Sequence, residues 1–235
     1  MRRVLSFLNM VCATLFLSGA AFAVAPFDPK GRRVDGIARL WAHTVLWAAG
    51  VSVSVEGGEQ IAAPPYLFMS NHQSALDIAV LLASLPVPFK FVAKRELFRI
   101  PIFGRAIKKA GYVDIDRKNP REALKAVQEA AAKIKDGTSV LIFPEGTRSR
   151  DGNLLPFMKG AFSLATRAGA PIAPVAVIGT NPLQPPGSAV ALKKGRVTVR
   201  IGKPIPTEGK GLSYRAGLME EVRKAIEGLT HCRTR

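Results

Sequence analysis

The sequence predicts an α/β protein with a mainly parallel sheet flanked by helices, preceded by an N-terminal membrane-associating helical segment. Two observations support this fold class. Short β-rich runs alternate with helical stretches between about residues 65 and 205, and residues 4–27 carry no formal charge. Alternation of this kind is typical of parallel sheets covered by helices on their faces. We therefore expect a membrane anchor over residues 1–56 and one globular domain over residues 57–235.

The individual elements follow from periodicity and from turn residues. The clearest helix begins where Asn119 can cap it and Pro120 fits the first position, and Gly137 follows its end. The predicted strands are 66–70, 90–93, 111–115, 139–143, 172–178 and 197–201. The predicted helices are 75–83, 102–110, 120–135, 159–168 and 214–229.

The charge balance predicts an anionic partner. Lys and Arg number 34 against 17 Asp and Glu, which gives a formal net charge of +17. No aromatic stacking platform and no helix or zinc module typical of nucleic-acid binding is present, so the apolar N-terminus favours an anionic phospholipid membrane over nucleic acid. Two cysteines, Cys12 and Cys232, do not make a disulfide framework, and no Cys/His cluster indicates a metal.

The first apolar run is long enough to cross a membrane. As a helix, residues 4–27 would be about 36 Å long, against a hydrocarbon core of about 30 Å. The next uncharged run, 40–55, ends in strand-like alternation, so its helical part suits the membrane interface. Basic residues concentrate after the first run, which predicts an inner-membrane protein with its globular domain on the cytoplasmic face. Arg2, Arg3 and the Ala-Phe-Ala at 21–23 also suit a cleavable secretory signal, an alternative that these residues leave open.

A histidine and an aspartate lie five residues apart directly after the predicted strand 66–70. His72 can take a proton near neutral pH, and Asp77 could hold the far ring nitrogen if His72 lies in the loop and Asp77 in the first helical turn. The alternative is purely structural. Ser74 and Asp77 resemble a capping box, and His72 could cap a loop.

Two further polar clusters also follow predicted strands. Residues 143–148 read Phe-Pro-Glu-Gly-Thr-Arg, a sharp turn whose arginine and backbone N–H groups could hold a phosphate. Residues 111–117 end in Asp-Arg, and Lys94 follows another strand. Ordinary surface turns and ion pairs are the alternative for each cluster taken alone. No Gly-x-Ser-x-Gly elbow, P-loop or Gly-x-Gly-x-x-Gly is present, so serine hydrolysis and nucleotide chemistry lack support.

In this order and spacing the clusters resemble the glycerolipid acyltransferase family, and most of all its 1-acyl-sn-glycerol-3-phosphate acyltransferases. Residues 71–77 match the first family motif, 111–117 the second and 143–148 the third, while 170–175 resemble the fourth. The resemblance covers about residues 66–206. The sequence departs from the pattern at Asp114, Met158, Ala170 and Ala173.

The resemblance implies direct acyl transfer from acyl-CoA or acyl-carrier protein to the sn-2 hydroxyl of lysophosphatidic acid, forming phosphatidic acid for phospholipid biosynthesis. His72 would be the general base, and Asp77 would orient it. No metal or prosthetic group is implied. The residues implied in substrate binding are Lys94, Arg117, Glu145, Gly146, Thr147 and Arg148, with Glu145 expected to bond to an arginine or the glycerol.

Other functions remain compatible with the same residues. The acceptor could be glycerol 3-phosphate or another lysolipid. The His–Asp pair could activate water in a lipid-ester hydrolase. The chain could also be a basic membrane-binding protein without enzymatic activity, which captures anionic lipid or nucleic acid. The oxyanion donors are expected among the backbone N–H groups near Gly146.

Overall fold

The computed structural model describes residues 2–28, 31–188 and 193–231, with side chains described from residue 9 onward. The helices are Arg2–Val24 (α1), Arg32–Ala49 (α2), Leu76–Ser84 (α3), Arg95–Phe98 (α4), Phe103–Lys109 (α5), Pro120–Lys135 (α6), Lys159–Ala168 (α7) and Arg215–His231 (α8). The strands are Val51–Glu56 (β1), Leu67–Ser70 (β2), Phe89–Lys94 (β3), Val113–Ile115 (β4), Ser139–Ile142 (β5), Ile172–Ile178 (β6) and Gly195–Ile201 (β7).

The strands form one seven-stranded sheet in the order β1-β7-β6-β2-β5-β3-β4. Every neighbouring pair is parallel except β6 and β7, which run antiparallel. The predicted mainly parallel sheet is therefore confirmed. Strand β2 lies at its centre, between β5 and β6, so the carboxyl ends of these three strands meet at one edge of the sheet.

Helices cover both faces of this sheet. Alternate residues of β2 point to opposite sides: Phe68 packs with α2 and α3, whereas Leu67 and Met69 pack with α6, α7 and α8. All three side chains are fully buried. This two-sided burial explains why the central strands are apolar throughout rather than alternating with polar residues.

The N-terminal helices pack together and against the sheet domain. Helix α1 lies along α2 and α5, and α2 buries one face against α3. Residues 9–27 form one helix long and apolar enough to cross a membrane. Strand β1 pairs with β7, so the sheet begins before residue 57, where we expected the globular domain to begin. The alternation of Val and Ser in Val51–Glu56 is the pattern of this half-covered edge strand.

Candidate active site

The histidine and the Phe-Pro-Glu-Gly turn meet at the carboxyl end of the central strands. His72 lies two residues beyond β2, and Phe143 follows β5 directly. Their rings stack with centroids 3.8 Å apart and planes 12° from parallel. Because β2 and β5 are parallel neighbours, the loops that follow them meet at this edge, as expected for ligand sites in such sheets.

His72 and Asp77 form a hydrogen-bonded pair. Their Nδ1 and Oδ2 atoms are 2.9 Å apart, and the two side chains are 15% and 0% exposed respectively. Oδ2 also accepts the backbone N–H groups of Gln73 and Ser74, at 2.7 and 2.9 Å. The structural and the catalytic alternatives for Asp77 are therefore compatible. The same carboxylate accepts the backbone N–H groups before α3 and pairs with the imidazole. Within the described residues, His72 Nε2 makes no hydrogen bond.

Glu145 fastens the His72 loop from the other side. Its Oε1 accepts the backbone N–H of His72 at 2.7 Å, and its Oε2 accepts the N–H of Leu155 at 2.9 Å. We expected this carboxylate to bond to an arginine or to substrate. Its hydrogen bonds in the structure go to backbone N–H groups instead, because it lies buried between the two loops. The carbonyl of His72 in turn accepts the N–H of Ser149 at 2.8 Å.

Burial raises the pKa of Glu145 to about 7. Desolvation is the largest cause, and the negative charge of Asp77 adds to it. The two backbone N–H bonds and the guanidinium of Arg223 oppose the rise. This carboxyl therefore changes its charge near neutral pH while it holds the backbone of the histidine.

Two further side chains lock the loop and were not predicted. Asn71 exchanges a pair of hydrogen bonds with the backbone of Val177 in β6, at 2.9 and 2.7 Å. The hydroxyl of Ser74 donates to the carbonyl of Gln184 at 2.7 Å. Asn71 and Ser74 are both buried. Their presence in the first motif was the only sequence signal, because their partners lie more than 100 residues away along the chain.

Gly146 forms the turn after Glu145 with a left-handed backbone, φ 71°. A β-carbon at this position would meet the flexible Met158 side chain, which can move aside, so it is the left-handed conformation that favours glycine. The N–H of Gly146 donates to the carbonyl of Phe143 at 3.1 Å and is therefore already engaged.

An apolar cavity of about 310 Å³ opens beside this turn. Most of its wall comes from α6, α7 and the end of β5, including Leu124, Ala161 and Phe143. Gly146 and Met158 lie at its edge. Arg117 is the charged residue in its lining, and burial lowers the pKa of this guanidinium. No ion pair or hydrogen bond of its side chain is found within the described residues.

A second groove, of about 540 Å³, runs between α1 and the start of α3. Arg148, at the other side of the turn, lies at this groove together with Ala75 and Leu76. Met10 and Leu15 of α1 form part of its apolar wall. The two predicted arginines thus line different openings, one on each side of the Phe143 turn.

Lys94 and Thr147 are less closely integrated. Lys94 is 57% exposed and forms an ion pair with Glu96 at 3.1 Å, and Thr147 is exposed beside Arg148. Neither lines the cavity or the groove. Both residues remain predictions.

The unusual Asp114 has a structural partner. Arg95 donates to it at 3.2 Å and also contacts Asp116 at 3.3 Å and Glu122 at 3.0 Å. Arg95 is therefore balanced by three carboxylates. The acidic residue in the second motif stabilises the ends of β3 and β4 by holding this arginine.

The geometry supports proton transfer at a hydroxyl or water oxygen. A buried carboxylate fixes one ring nitrogen of His72, and the other nitrogen has no protein partner within the described residues. Nearby lie an apolar cavity and two arginines not engaged in ion pairs there. Across residues 2–28, 31–188 and 193–231, no group of three or more His, Cys, Asp or Glu side chains could hold a metal ion.

Comparison with known proteins identifies relatives over most of the chain. The profile of the family described as Acyltransferase matches residues 52–178. A chloroplastic 1-acyl-sn-glycerol-3-phosphate acyltransferase of Brassica napus is 39% identical over 83% of this chain and 57% of its own length. The 1-acyl-sn-glycerol-3-phosphate acyltransferase of Saccharomyces cerevisiae is 35% identical over 94% of this chain and 76% of its own. The chain thus spans a little over half the length of the Brassica relative.

A solved structure has the same fold. The 1-acyl-sn-glycerophosphate acyltransferase PlsC of Thermotoga maritima aligns over 100% of both chains with a TM-score of 0.80 and 27% identity. The sheet and its flanking helices are therefore a known architecture. These findings confirm the family resemblance inferred from the motifs.

Proposed function

We propose that this chain, which belongs to the Acyltransferase family, transfers a fatty acyl group from a thioester to the sn-2 hydroxyl of 1-acyl-sn-glycerol 3-phosphate. The product is phosphatidic acid, and the donor is acyl-CoA or acyl-carrier protein. The named activity of the Brassica napus and yeast relatives supports this acceptor. The observation that carries the proposal is the His72–Asp77 pair, with one ring nitrogen fixed and the other unengaged in the described residues.

His72 acts as the general base. As the acceptor hydroxyl attacks the thioester carbonyl, its proton passes to Nε2, and a C–O bond forms while the C–S bond breaks. The same proton then leaves His72 for the departing sulfur, so the enzyme ends unchanged. Asp77 stabilises the imidazolium that exists between these two transfers. General-base assistance of this kind contributes about 10²–10⁴-fold to rate.

The oxyanion donors belong to the turn after Gly146. The N–H of Gly146 already donates to the carbonyl of Phe143, so the next two backbone N–H groups are the candidate oxyanion donors. Within the described residues, those of Thr147 and Arg148 donate no hydrogen bond. Their position beside His72 supports a role in holding the negative charge that develops on the thioester oxygen.

Each opening suits one substrate. The cavity beside Phe143 and Gly146 is apolar enough to hold the donor acyl chain, and Arg117 at its edge would bind an anionic group. The groove along α1 leads from the apolar helix to Arg148, which suits a lipid acceptor whose phosphate reaches the arginine. Lys94 is a weaker phosphate ligand because it is exposed and paired with Glu96.

The N-terminal helix supports attachment to an anionic membrane. Residues 9–27 are long and apolar enough to span, and the chain after them is strongly basic. We place the protein at the inner membrane with its catalytic domain on the cytoplasmic face, where soluble thioesters are available. An uncleaved anchor is required by this arrangement.

The test compares wild type with His72→Ala in membranes supplied with acyl-CoA and lysophosphatidic acid. Free thiol and phosphatidic acid are measured together. We expect equal amounts of both products from wild type and a loss of about 10²–10⁴-fold in the variant. His231→Ala is a matched control, because this histidine is exposed at the end of α8 and should keep wild-type activity.

Other products would contradict the proposal. Thiol release with free fatty acid and no new ester would identify a hydrolase. If acyl-CoA gives no turnover, acyl-carrier protein is the second donor to try. Failure of both donors with folded protein would reject acyl transfer to lysophosphatidic acid.

A further inference from the structure

The loop between α4 and α5 exposes apolar side chains that have no explanation in the fold. Residues 99–102 read Arg-Ile-Pro-Ile and are all exposed. Ile100 is 45% exposed and Ile102 is 46% exposed. Two large aliphatic side chains so close together at a surface indicate a contact with something apolar.

The backbone holds this loop in a costly conformation. The N–H of Phe103 donates to the carbonyl of Pro101 at 2.7 Å, which closes a three-residue turn around Ile102. Ile102 has φ 65° and ψ −64°, the geometry of the rare classic γ-turn. It is the non-glycine residue with positive φ in the described part of the chain. A β-branched residue is a poor choice for such a position, so backbone preference does not account for the isoleucine.

Backbone hydrogen bonds also tie the loop to α5. The N–H groups of Gly104 and Ala106 donate to the carbonyls of Ile100 and Ile102, at 2.8 and 2.9 Å. A β-carbon at Gly104 would overlap the backbone of Phe98, which shows how closely α4 and α5 approach each other. Ile100 and Ile102 are therefore presented on a fixed support.

This support lies against the apolar N-terminal helix. Ile100 lines the same groove as Met10, Val11 and Leu15 of α1. Helix α5 packs on α1, and the ammonium of Lys109 lies 4.1 Å from the ring centre of Phe22. The outward face of α1 and of the turn that follows it is apolar as well, with Phe16 and Phe27 each 77% exposed. The loop thus continues an apolar surface that begins on α1.

The charges around the loop are basic. Arg99 and Arg105 flank the two isoleucines, and Lys108 and Lys109 follow on α5, all of them exposed. Glu96 is the acidic residue between positions 95 and 113, and it is paired with Lys94. Exposed apolar side chains surrounded by Lys and Arg suit the boundary between acyl chains and anionic headgroups.

We propose that residues 99–102 are a second membrane-contacting element, with Ile100 and Ile102 entering the bilayer interface and Arg99 and Arg105 contacting anionic headgroups. This inference rests on the proposed attachment of α1 to the membrane and adds to it. A single helix leaves the domain free to rotate about its axis. A second rigid contact fixes the orientation in which the groove beside α1 opens toward the lipid.

The test uses a local probe, because overall binding to vesicles reports chiefly on α1. A polarity-sensitive fluorophore is attached to the full-length chain at Ile102→Cys, in a Cys12→Ser, Cys232→Ser background. The protein is reconstituted with phosphatidylglycerol-containing vesicles, some carrying nitroxide on the acyl chains. Two further sites serve as controls. The native Cys12 on α1 reports the anchor, and Leu212→Cys, at a residue 56% exposed before α8, reports a surface away from it.

We expect the probe at position 102 to shift to shorter wavelength and to be quenched at least twofold by the nitroxide lipid, as at position 12, while position 212 is unaffected. Quenching at position 12 with a water-like signal at 102 overturns the inference and leaves the anchor intact. Water-like signals at both 12 and 102 overturn the inference together with the proposed anchor. These readouts do not depend on acyl transfer, so they are independent of the catalytic proposal.

A charge variant tests the second half of the inference. In Arg99→Glu, Arg105→Glu protein, quenching at position 102 should weaken in vesicles rich in phosphatidylglycerol and change little in neutral vesicles. Equal weakening in both kinds of vesicle would contradict a headgroup contact. The matched control reverses two basic residues of α6, Lys125→Glu and Lys135→Glu, and should leave quenching at position 102 unchanged.

Discussion

A single carboxylate oxygen of Asp77 holds both the backbone and the His72 ring. Oδ2 accepts two backbone N–H groups and pairs with His72 Nδ1, whereas Oδ1 is buried without a hydrogen-bond partner in the described structure. A buried charged oxygen without a partner costs stability. Asp77 therefore stabilises the loop less well than a carboxylate with both oxygens hydrogen-bonded, which is consistent with the proposed role of its charge in supporting an imidazolium.

Asp77→Asn separates these two roles. The amide oxygen can replace Oδ2, and the amide nitrogen can occupy the place of the unpartnered Oδ1. We expect kcat to fall about 10²–10⁴-fold, because the imidazolium loses its counter-charge. The free energy of unfolding should fall by no more than about 1 kcal/mol. Denaturant titration in detergent and steady-state kinetics measure the two quantities, and Asp77→Ala, which removes the backbone acceptor too, should lose both.

Glu145 connects the histidine loop to pH. Its pKa of about 7 lies above the ordinary 4.5, so the folded protein holds this proton more tightly than the unfolded chain does. Its contribution to stability is therefore present below about pH 4.5 and is lost as pH rises to about 7. The ionised form, however, is the better acceptor for the N–H groups of His72 and Leu155. The free energy of unfolding is therefore greater when Glu145 is neutral, whereas the hydrogen bonds that hold the His72 loop are stronger when Glu145 is ionised.

This opposition predicts the shape of the pH–rate profile. As pH rises toward about 7, wild-type kcat should rise with a steeper slope than that of Glu145→Gln, because ionisation of Glu145 strengthens its bond to the His72 backbone. In Glu145→Gln, which cannot ionise, kcat should be lower and the slope smaller. Lys125→Met, at a lysine of α6 that is 73% exposed, should retain the wild-type slope. Equal slopes in wild type and Glu145→Gln would show that ionisation of Glu145 has no part in the reaction.

Among the elements, helix α6 shows how local signals fix boundaries. Its observed bounds equal the predicted ones, because Asn119 accepts the N–H groups of Arg121 and Glu122 and Pro120 occupies the first turn. Replacing Asn119 by Ala should lower the free energy of unfolding by about 1 kcal/mol. Asn119→Asp, which keeps an acceptor, should be close to wild type in the same titration. A loss as large for Asp as for Ala would reject the capping explanation.

The prediction was less complete where elements are short or depend on distant partners. Helix α4 was not predicted, since its four residues carry no periodic pattern. The edge strand β4 has three residues rather than the expected five, because its pairing with β3 begins only at Val113. The central strands of the sheet were predicted from the sequence because burial on both faces makes them apolar throughout.

The same distinction applies to the site. The pairing of His72 with Asp77 was predicted because both residues lie in one short segment. The bonds from Asn71 to Val177 and from Glu145 to the His72 backbone were not, since each depends on the order of the strands in the sheet. When the partner is a backbone N–H group, the type of residue that carries it gives no indication of the hydrogen bond. Sequence motifs therefore indicated the candidate residues of the site but not how its loop is held.

At the scale of the whole molecule, one buried ion pair joins the N-terminal helices to the sheet. Lys90 of β3 contacts Asp35 of α2, with side chains 11% and 21% exposed respectively. Asp35→Ala leaves the lysine charge without its partner and should lower the free energy of unfolding by about 3–5 kcal/mol. Asp35→Leu combined with Lys90→Met should restore most of this loss. A double variant no more stable than Asp35→Ala would show that the pair is not what couples the two parts.

The central position of β2 also governs when the site can form during synthesis. The His72 loop is held by partners 73 and 106 residues further along the chain, whereas α1 precedes it. At about 5–20 residues per second, roughly 8–30 s separate the synthesis of the end of α1 from that of Val177. A nascent chain thus carries the apolar helix α1 well before it carries the partners that hold the His72 loop. Each molecule passes through a stage in which this helix has been made and the candidate site cannot yet form.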